Sequence, residues 1–162
     1  MRIEILSCDD WERLRDLRLR VLQDSPEWFA AIHAIESQRI ETEWREEAKK
    51  SHWRVITNGE DIGLMAVSAA EPIRECDCWL SSCWIDPKYR GQGLMKMIID
   101  ELDAICESEG WVTQGLGVWP HNLRAIKSYE KYGFEKVGEP KQSRSRPDQI
   151  FQPMFRRRQN TK

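Results

Sequence analysis

The segment 84–95 constrains the fold of this chain more than any other, because it joins three patterns in a fixed order. An apolar stretch over 78–85 ends at an Asp-Pro pair, and Gly91 and Gly93 follow it closely. Apolar residues then recur at helical intervals, at Leu94, Met97, Ile98, Leu102 and Ile105. The pattern predicts a strand, a tight turn and an amphipathic helix whose first, unpaired amide groups favour an anion.

A second motif lies between residues 122 and 134. It consists of Asn122, Ala125, Tyr129, Gly133 and Phe134. Taken alone, the two earlier glycines could do no more than begin a helix, since a short glycine motif is a weak signal. Together, the two motifs favour a loop that binds a cofactor pyrophosphate, followed by a helix that carries a polar side chain, Asn122, and a phenol, Tyr129.

Over residues 78–134 these motifs resemble the GNAT superfamily of acyl-CoA-dependent N-acetyltransferases. The family pattern is Arg or Gln, two residues, Gly, one residue, and then Gly or Ala, and here it falls on Arg90, Gly93 and Met95. Two of the three positions match and Met95 departs. Its backbone amide can still face a pyrophosphate, but its side chain has to point away.

The resemblance implies an α/β (α+β) fold with a mixed central sheet of about seven strands, splayed between strands 4 and 5 and flanked by about four helices. Residue patterns predict strands at 2–6, 52–57, 62–70, 78–85, 112–118, 135–137 and 150–155. They predict helices at 11–23, 35–50, 93–108 and 123–132, with a flexible loop at 141–147. The length of 162 residues predicts a single domain over 1–162, and the resemblance implies that it is an N-acetyltransferase domain. Its basic tail at 156–162 is expected to be a solvated chain end.

The same resemblance implies acetyl-CoA as co-substrate and assigns its contacts by motif position. The backbone of Cys83, Trp84 and Ile85 would pair with the pantetheine arm like an added strand, and Asn122 would hydrogen-bond that arm. The pyrophosphate would be held by the loop residues Arg90, Gly91, Gln92, Gly93, Leu94, Met95 and Lys96.

Tyr129 is the predicted general acid. A phenol with a pKa of about 10 stays protonated at neutral pH and can donate as charge builds on the leaving thiolate. The family often places a glutamate base where this chain has Trp79 and Gly117, and neither can accept a proton. Asp77, which we also consider as a weak acceptor-site residue, could act through a water. Proton loss to ordered water fits equally well.

The acceptor site is predicted in the N-terminal third, in a segment that resembles the variable acceptor-lining region of the family. Glu27 could bind an ammonium, and Trp28 and Phe29 could form an apolar or cation-π wall. Both aromatic side chains could equally pack into the core.

Composition bounds the remaining classes of function. The chain is 40% hydrophobic and 32% charged, with an acidic body that would attract amines or simply be solvated. Five scattered cysteines without a second ligand pair predict neither disulfides nor a metal site. Without a spanning apolar run or signal peptide, we expect a cytoplasmic protein with no nucleic-acid or membrane partner. A homodimer stays open.

These observations predict transfer of an acetyl group from acetyl-CoA to a primary amine, most naturally that of a small molecule. A protein Nα- or lysine acetyltransferase is the alternative within the enzyme class. A catalytically silent acyl-CoA-binding module that regulates a partner is the alternative outside it, because the carboxylates often found at positions 79 and 117 are missing.

Overall fold

The computed structural model describes residues 1–160, so residues 161–162 of the predicted tail lie outside the described part. Contacts cluster into two units. The first unit comprises Met1–Ala66 and Ser82–Gln92, and the second comprises Val67–Ser81 and Gly93–Lys162. The single domain over 1–162 stays a prediction.

Residues 1–160 form eight strands and five helices. The strands are β1 (Arg2–Leu6), β2 (His52–Thr57), β3 (Asp61–Ala69), β4 (Cys78–Ile85), β5 (Thr113–Val118), β6 (Glu135–Lys136), β7 (Lys141–Gln142) and β8 (Ile150–Arg157). The helices are α1 (Trp11–Asp24), α2 (His33–Glu36), α3 (Glu41–Lys50), α4 (Leu94–Glu109) and α5 (Leu123–Lys131). The predicted α/β (α+β) class with a mixed sheet is confirmed.

Two predicted elements need correction. The helix expected over 35–50 is divided into α2 and α3, because Ile40 adopts an extended backbone with φ −87° and ψ 168° and begins a new helix. The loop expected to be flexible at 141–147 contains β7, which pairs with β8 at Lys141↔Phe151 and Gln142↔Ile150. Both differences depend on backbone conformation and strand pairing, which the spacing of apolar residues does not predict.

The first unit is built on the antiparallel pair of β1 and β2, in register from Arg2↔Thr57 to Leu6↔Trp53. Strand order within it continues from β2 to β3 and β4. Helix α1 covers this sheet with one apolar stripe, since residues three and four apart share a helix face. The buried core cluster of this unit comprises Leu6, Leu14, Leu17, Val21, Trp44, Ala48, Trp53, Val55, Leu64, Ala66 and Trp84.

The second unit is built around β5 and β8, which pair antiparallel from Thr113↔Arg157 to Val118↔Gln152. Strand β6 pairs with the other edge of β8. Parallel pairing between β4 and β5 is limited to Cys78↔Gln114 and Trp79↔Gly115, at the beginning of both strands.

The prediction of a solvated tail is wrong for Arg156, which lies in β8 with only 8% of its surface exposed. Its guanidinium donates to both carboxylate oxygens of Asp103, at 2.6 and 3.1 Å, and to Gln114 Oε1 at 2.7 Å. Gln114 Nε2 in turn donates to Asp103 Oδ1 at 2.8 Å. The buried charge is therefore compensated and hydrogen-bonded, which is what a low-dielectric interior requires.

None of the helices within residues 1–160 combines the length and the apolar composition needed to cross a bilayer.

Replacement of the buried arginine should destabilise the protein strongly. We expect Arg156→Met to lower the free energy of unfolding by about 3–5 kcal/mol, because Asp103 would remain buried without its counter-ion. The matched control is Arg157→Met, one residue later on an exposed position, with an expected change within about 0.5 kcal/mol. Urea unfolding of both variants measures the difference, and equal losses would contradict the assigned role of the network.

Candidate functional site

The end of β4 is held in place by the C-terminal end of α1. Trp84, only 4% exposed, donates its indole N–H to Asp24 Oδ2 at 3.0 Å. The same carboxylate oxygen accepts from Ser25 Oγ at 2.8 Å and lies 3.7 Å from Arg90 Nη2. Asp24 is therefore the point at which α1, β4 and the following loop meet within the first unit.

The side chain of Arg90 folds back onto the strand that precedes it. Its Nε donates to the carbonyl oxygen of Ile85 at 2.9 Å. A guanidinium can hold several acceptors in fixed geometry, so this residue fixes where the loop leaves β4. One of the two acceptor positions of the Ile85 carbonyl is therefore used within the chain.

The glycine loop has the backbone geometry that its sequence predicts. Gly91 and Gly93 have φ values of 76° and 81°, in the left-handed region that residues with a Cβ rarely adopt. Both are exposed, and a Cβ added to either would meet nothing within 4 Å. Glycine is therefore required here by backbone conformation and not by packing within the chain.

The loop opens directly into the N-terminus of α4. No side chain caps this end of the 16-residue helix, and its first turn contains no acidic residue. Leu94 points into the core, while the amide of Lys96 donates to Gly93 O at 3.1 Å and its ammonium pairs with Asp100 at 2.6 Å. Met95 is partly buried. Uncapped amides and the positive end of the helix dipole form a site suited to an anion.

Asn122 and Tyr129 lie at the beginning and near the end of α5. Asn122 caps the helix, because its Oδ1 accepts from the amide of Ala125 at 3.2 Å. Its Nδ2 has no hydrogen-bond partner within residues 1–160 and remains available to a ligand. The ring of Tyr129 packs edge to face against Phe134, with the ring centroids 5.7 Å apart.

The middle of β4 contains a distortion that the sequence does not predict. Ser82 has a φ of 54°, a conformation that a non-glycine residue adopts only where surrounding contacts enforce it. Its Oγ accepts from Arg18 Nη1 at 2.9 Å, and Arg18 also donates to Glu36 at 3.2 Å. Burial lowers the pKa of Arg18, and Glu36 opposes that effect. A serine pair between apolar residues carries no sequence signal for such a kink.

The three candidate acceptor residues do not form one wall. Glu27 is exposed, and Trp28 is 37% exposed in the short 3₁₀ turn Pro26–Trp28. Phe29 instead packs against the core of the first unit. The packing alternative therefore holds for Phe29, while the roles of Glu27 and Trp28 stay predictions.

Packing and structural contacts account for positions 79 and 117, where the family often has a glutamate, and for Asp77. A Cβ on Gly117 would lie 2.8 Å from Phe151 Cδ2 and 3.3 Å from Trp79 Cζ2, so a longer side chain would displace these rings. The Asp77 carboxylate accepts from the amides of Val112 and Thr113, at 2.8 and 2.9 Å. These bonds hold the pKa of Asp77 below its usual range, which makes it a weak base.

Residues 1–160 contain no group of three or more His, Cys, Asp or Glu side chains arranged to hold a metal ion.

Comparison with known proteins places these features in a family. The acetyltransferase (GNAT) family model matches residues 11–134. The spermine/spermidine N(1)-acetyltransferase of Bacillus subtilis is 26% identical over 148 residues, covering 86% of this chain and 91% of that protein. The peptidyl-lysine N-acetyltransferase YjaB of Salmonella typhimurium is 24% identical over 146 residues, covering 90% and 87%.

Solved structures agree on the fold. A GNAT-family acetyltransferase from Streptococcus pneumoniae superposes with a TM-score of 0.77 at 17% identity, covering 96% of this chain and 98% of that one. The ribosomal-protein-S5-alanine acetyltransferase from Vibrio fischeri gives a TM-score of 0.75 at 15% identity, covering 99% and 94%.

Removal of the Asp24 carboxylate should weaken the first unit. We expect Asp24→Ala to lower the free energy of unfolding by about 1–3 kcal/mol, because the buried indole N–H of Trp84 loses its acceptor. Asp24→Asn, which keeps an acceptor oxygen, should cost less. Asp16→Ala on the exposed side of the same helix is the control, with an expected change within about 0.5 kcal/mol. Chemical denaturation distinguishes them, and an Asp24→Ala loss no larger than the control would refute the assignment.

Proposed function

The chain belongs to the GNAT family of acetyltransferases, and we propose that it transfers the acetyl group of acetyl-CoA to the amine of a small molecule, with Tyr129 as general acid. Membership of the family makes it an acetyl-CoA-dependent N-acetyltransferase. Acceptor class and catalytic residue are the parts that we infer.

The left-handed loop that ends at the uncapped N-terminus of α4 is the observation that carries the proposal. A pyrophosphate needs several amide donors and no side chain in the way, and the exposed Gly91 and Gly93 meet the second need. We assign the pyrophosphate to the backbone amides of residues 91–95, because the amides of Arg90 and Lys96 already donate to Pro87 O at 3.4 Å and to Gly93 O at 3.1 Å. Arg90 has a supporting role, since its Nε donates to Ile85 O at 2.9 Å.

The pantetheine arm is assigned to the edge of β4 at Cys83, Trp84 and Ile85. An extended arm can pair with exposed backbone groups of a strand as an additional strand would. The amide and carbonyl groups of this edge are the expected contacts, and Arg90 already uses one acceptor position of the Ile85 carbonyl. Asn122 contributes Nδ2, because its Oδ1 serves α5.

The reaction requires a neutral amine to attack the acetyl carbonyl and a proton to reach the departing thiolate. We assign that proton to Tyr129, whose ring is oriented by its edge-to-face contact with Phe134 at 5.7 Å. A phenol remains protonated at neutral pH until negative charge develops beside it.

We assign no side chain as general base. Gly117 and Trp79 have no basic group, and the amides of Val112 and Thr113 lower the pKa of Asp77. The amine proton would then leave through water, or the acceptor would bind as the free amine. This assignment predicts that the pH dependence of turnover follows the pKa of the acceptor amine.

The small-molecule acceptor is supported by the relative that acts on spermine and spermidine. Acetylation of a protein lysine is the second candidate, supported by the peptidyl-lysine relative at similar identity. A thiol-release assay with a panel of small amines and lysine peptides separates the two. CoA binding without turnover on any acceptor would refute the enzymatic role.

Replacement of Tyr129 by Phe should reduce turnover without weakening the co-substrate complex. We expect kcat of Tyr129→Phe to fall about 10²- to 10⁴-fold, the usual contribution of a positioned general acid, while the Kd for acetyl-CoA stays unchanged. Tyr132→Phe, at the C-terminal end of the same helix, is the control with near-normal kcat. Steady-state thiol release and calorimetric acetyl-CoA binding provide both values. Unchanged turnover in Tyr129→Phe would remove it from the mechanism.

The two left-handed glycines at the ends of α4 form a matched pair for the pyrophosphate site. Gly93 and Gly110 have φ values of 81° and 77°, and a Cβ on either would meet nothing within 4 Å. Gly93→Ala and Gly110→Ala should therefore cost the same stability, about 1–2 kcal/mol. Only Gly93→Ala should also raise the Kd for acetyl-CoA, by about tenfold or more, because the loop amides lose their alignment. Equal affinities in the two variants would rule out this loop as the pyrophosphate site.

A further inference from the structure

Arg74 lies on an aromatic corner in the second unit, formed by Trp79 and Phe151. The two rings are nearly perpendicular, at 83°, with centroids 6.3 Å apart. The guanidinium carbon of Arg74 is 4.1 Å from the centroid of Trp79 and 5.2 Å from that of Phe151. A guanidinium stacked in this way keeps its N–H groups at the edge of the plane, where they can bind an acceptor.

The guanidinium of Arg74 has no carboxylate partner in the part of the chain that the structure describes: within residues 1–160 it makes neither an ion pair nor a side-chain hydrogen bond. The nearby Glu71 carboxylate pairs instead with Arg144 Nη2 at 2.6 Å. Arg74 is partly buried, and burial lowers its pKa; the charge of Arg144 adds to this effect and the Glu71 carboxylate opposes it. A partly desolvated guanidinium favours an incoming anion that can accept its hydrogen bonds.

The backbone holds Arg74 in this position before any ligand arrives. It lies in the 3₁₀ turn Pro72–Arg74, where its amide donates to Glu71 O at 2.9 Å. The next residue, Glu75, has a φ of 61° and donates to Pro72 O at 3.1 Å. A preorganised side chain loses less conformational entropy on binding, so its contacts contribute more to affinity.

The aromatic corner also lies beside the strand that leads to the proposed catalytic helix. Trp79 and Phe151 flank Gly117, the exposed residue one position before the end of β5. The chain then passes to Asn122, the cap of α5, which carries Tyr129. The aromatic corner thus lies at positions 79 and 117, where the family often has a glutamate, and it places a cation there instead of a carboxylate.

We propose that Arg74, stacked on the aromatic corner, binds a carboxylate of the acceptor, so that the substrates are amines that also carry a carboxylate. This inference rests on the proposed function and specifies its acceptor class, which differs from the polyamines named for the Bacillus subtilis relative. A guanidinium can bind a carboxylate through two parallel hydrogen bonds, which adds direction to charge attraction. An acceptor with only ammonium groups would instead place like charges next to Arg74.

A pair of homologous substrate series tests the proposal directly. Linear ω-amino acids of increasing chain length are compared, in a thiol-release assay, with alkylamines of the same lengths. Because the separation of amine and carboxylate varies along the series, one length should fit best. At that length we expect kcat/KM of the amino acid to exceed that of the alkylamine by about 10- to 100-fold, as charge-assisted hydrogen bonds typically contribute.

Variants of Arg74 then assign the preference to this side chain. Arg74→Gln should reduce the preference to about onefold, chiefly by raising KM for the amino acids, and leave the alkylamines and the KM for acetyl-CoA unchanged. Arg74→Lys, which keeps the charge but not the paired donors, should retain part of it. Arg157→Gln, which removes an exposed arginine of β8, is the control with an unchanged preference.

Three outcomes would overturn the inference. Equal kcat/KM in the two series would show that the carboxylate is not recognised, although the enzyme acts on amines. A rise in KM for acetyl-CoA in Arg74→Gln, with the acceptor constants unchanged, would show that Arg74 binds a phosphate of the co-substrate. Absence of turnover with every amine of both series would overturn the proposed function itself, and this inference with it.

Discussion

The buried carboxylate of Asp103 is the interaction on which the second unit depends. It lies on α4 and receives hydrogen bonds from Gln114 on β5 and Arg156 on β8. Arg156 also donates to the carbonyl of Tyr132, just after α5, at 2.7 Å. One ion pair therefore connects both proposed functional helices to strands β5 and β8. Its cost of desolvation is met only because the hydrogen-bonding groups around it are satisfied together.

A comparable set of hydrogen bonds exists in the first unit around Asp24, but it is smaller and lies closer to the surface. Asp24 binds the indole of buried Trp84, and Arg90 ties the beginning of the loop to the end of β4. Helix α1 carries a second constraint, because Arg18 reaches Ser82 at the left-handed kink of β4. The edge proposed for the pantetheine arm is thus supported from one helix at two points, which limits how far the strand can move.

The absence of a glutamate at positions 79 and 117 has a physical explanation in the packing. Trp79 and Phe151 lie against the glycines of β5, and a Cβ on Gly115 would already approach Trp79 Cε3 to 2.9 Å. Strand β5 has glycines at positions 115 and 117, which leaves space for the two rings. Those rings hold Arg74 by cation-π contacts. This packing leaves no basic side chain at positions 79 and 117 and places the cation of Arg74 beside them. The proposed loss of the amine proton and the proposed acceptor preference therefore depend on the same residues.

Local patterns in the sequence determined most of the architecture. Helix α1, strands β2 and β4 and the loop at Gly91 and Gly93 follow from apolar periodicity and from the need for positive φ, which depend on neighbouring residues alone. Motif order also identified the family and its co-substrate. Tertiary structure alone decided the burial of Arg156 in an apparently basic tail, the kink at Ser82 and the contact of Arg74 with Phe151. Each of these depends on partners distant along the chain, whose pairing no local pattern encodes.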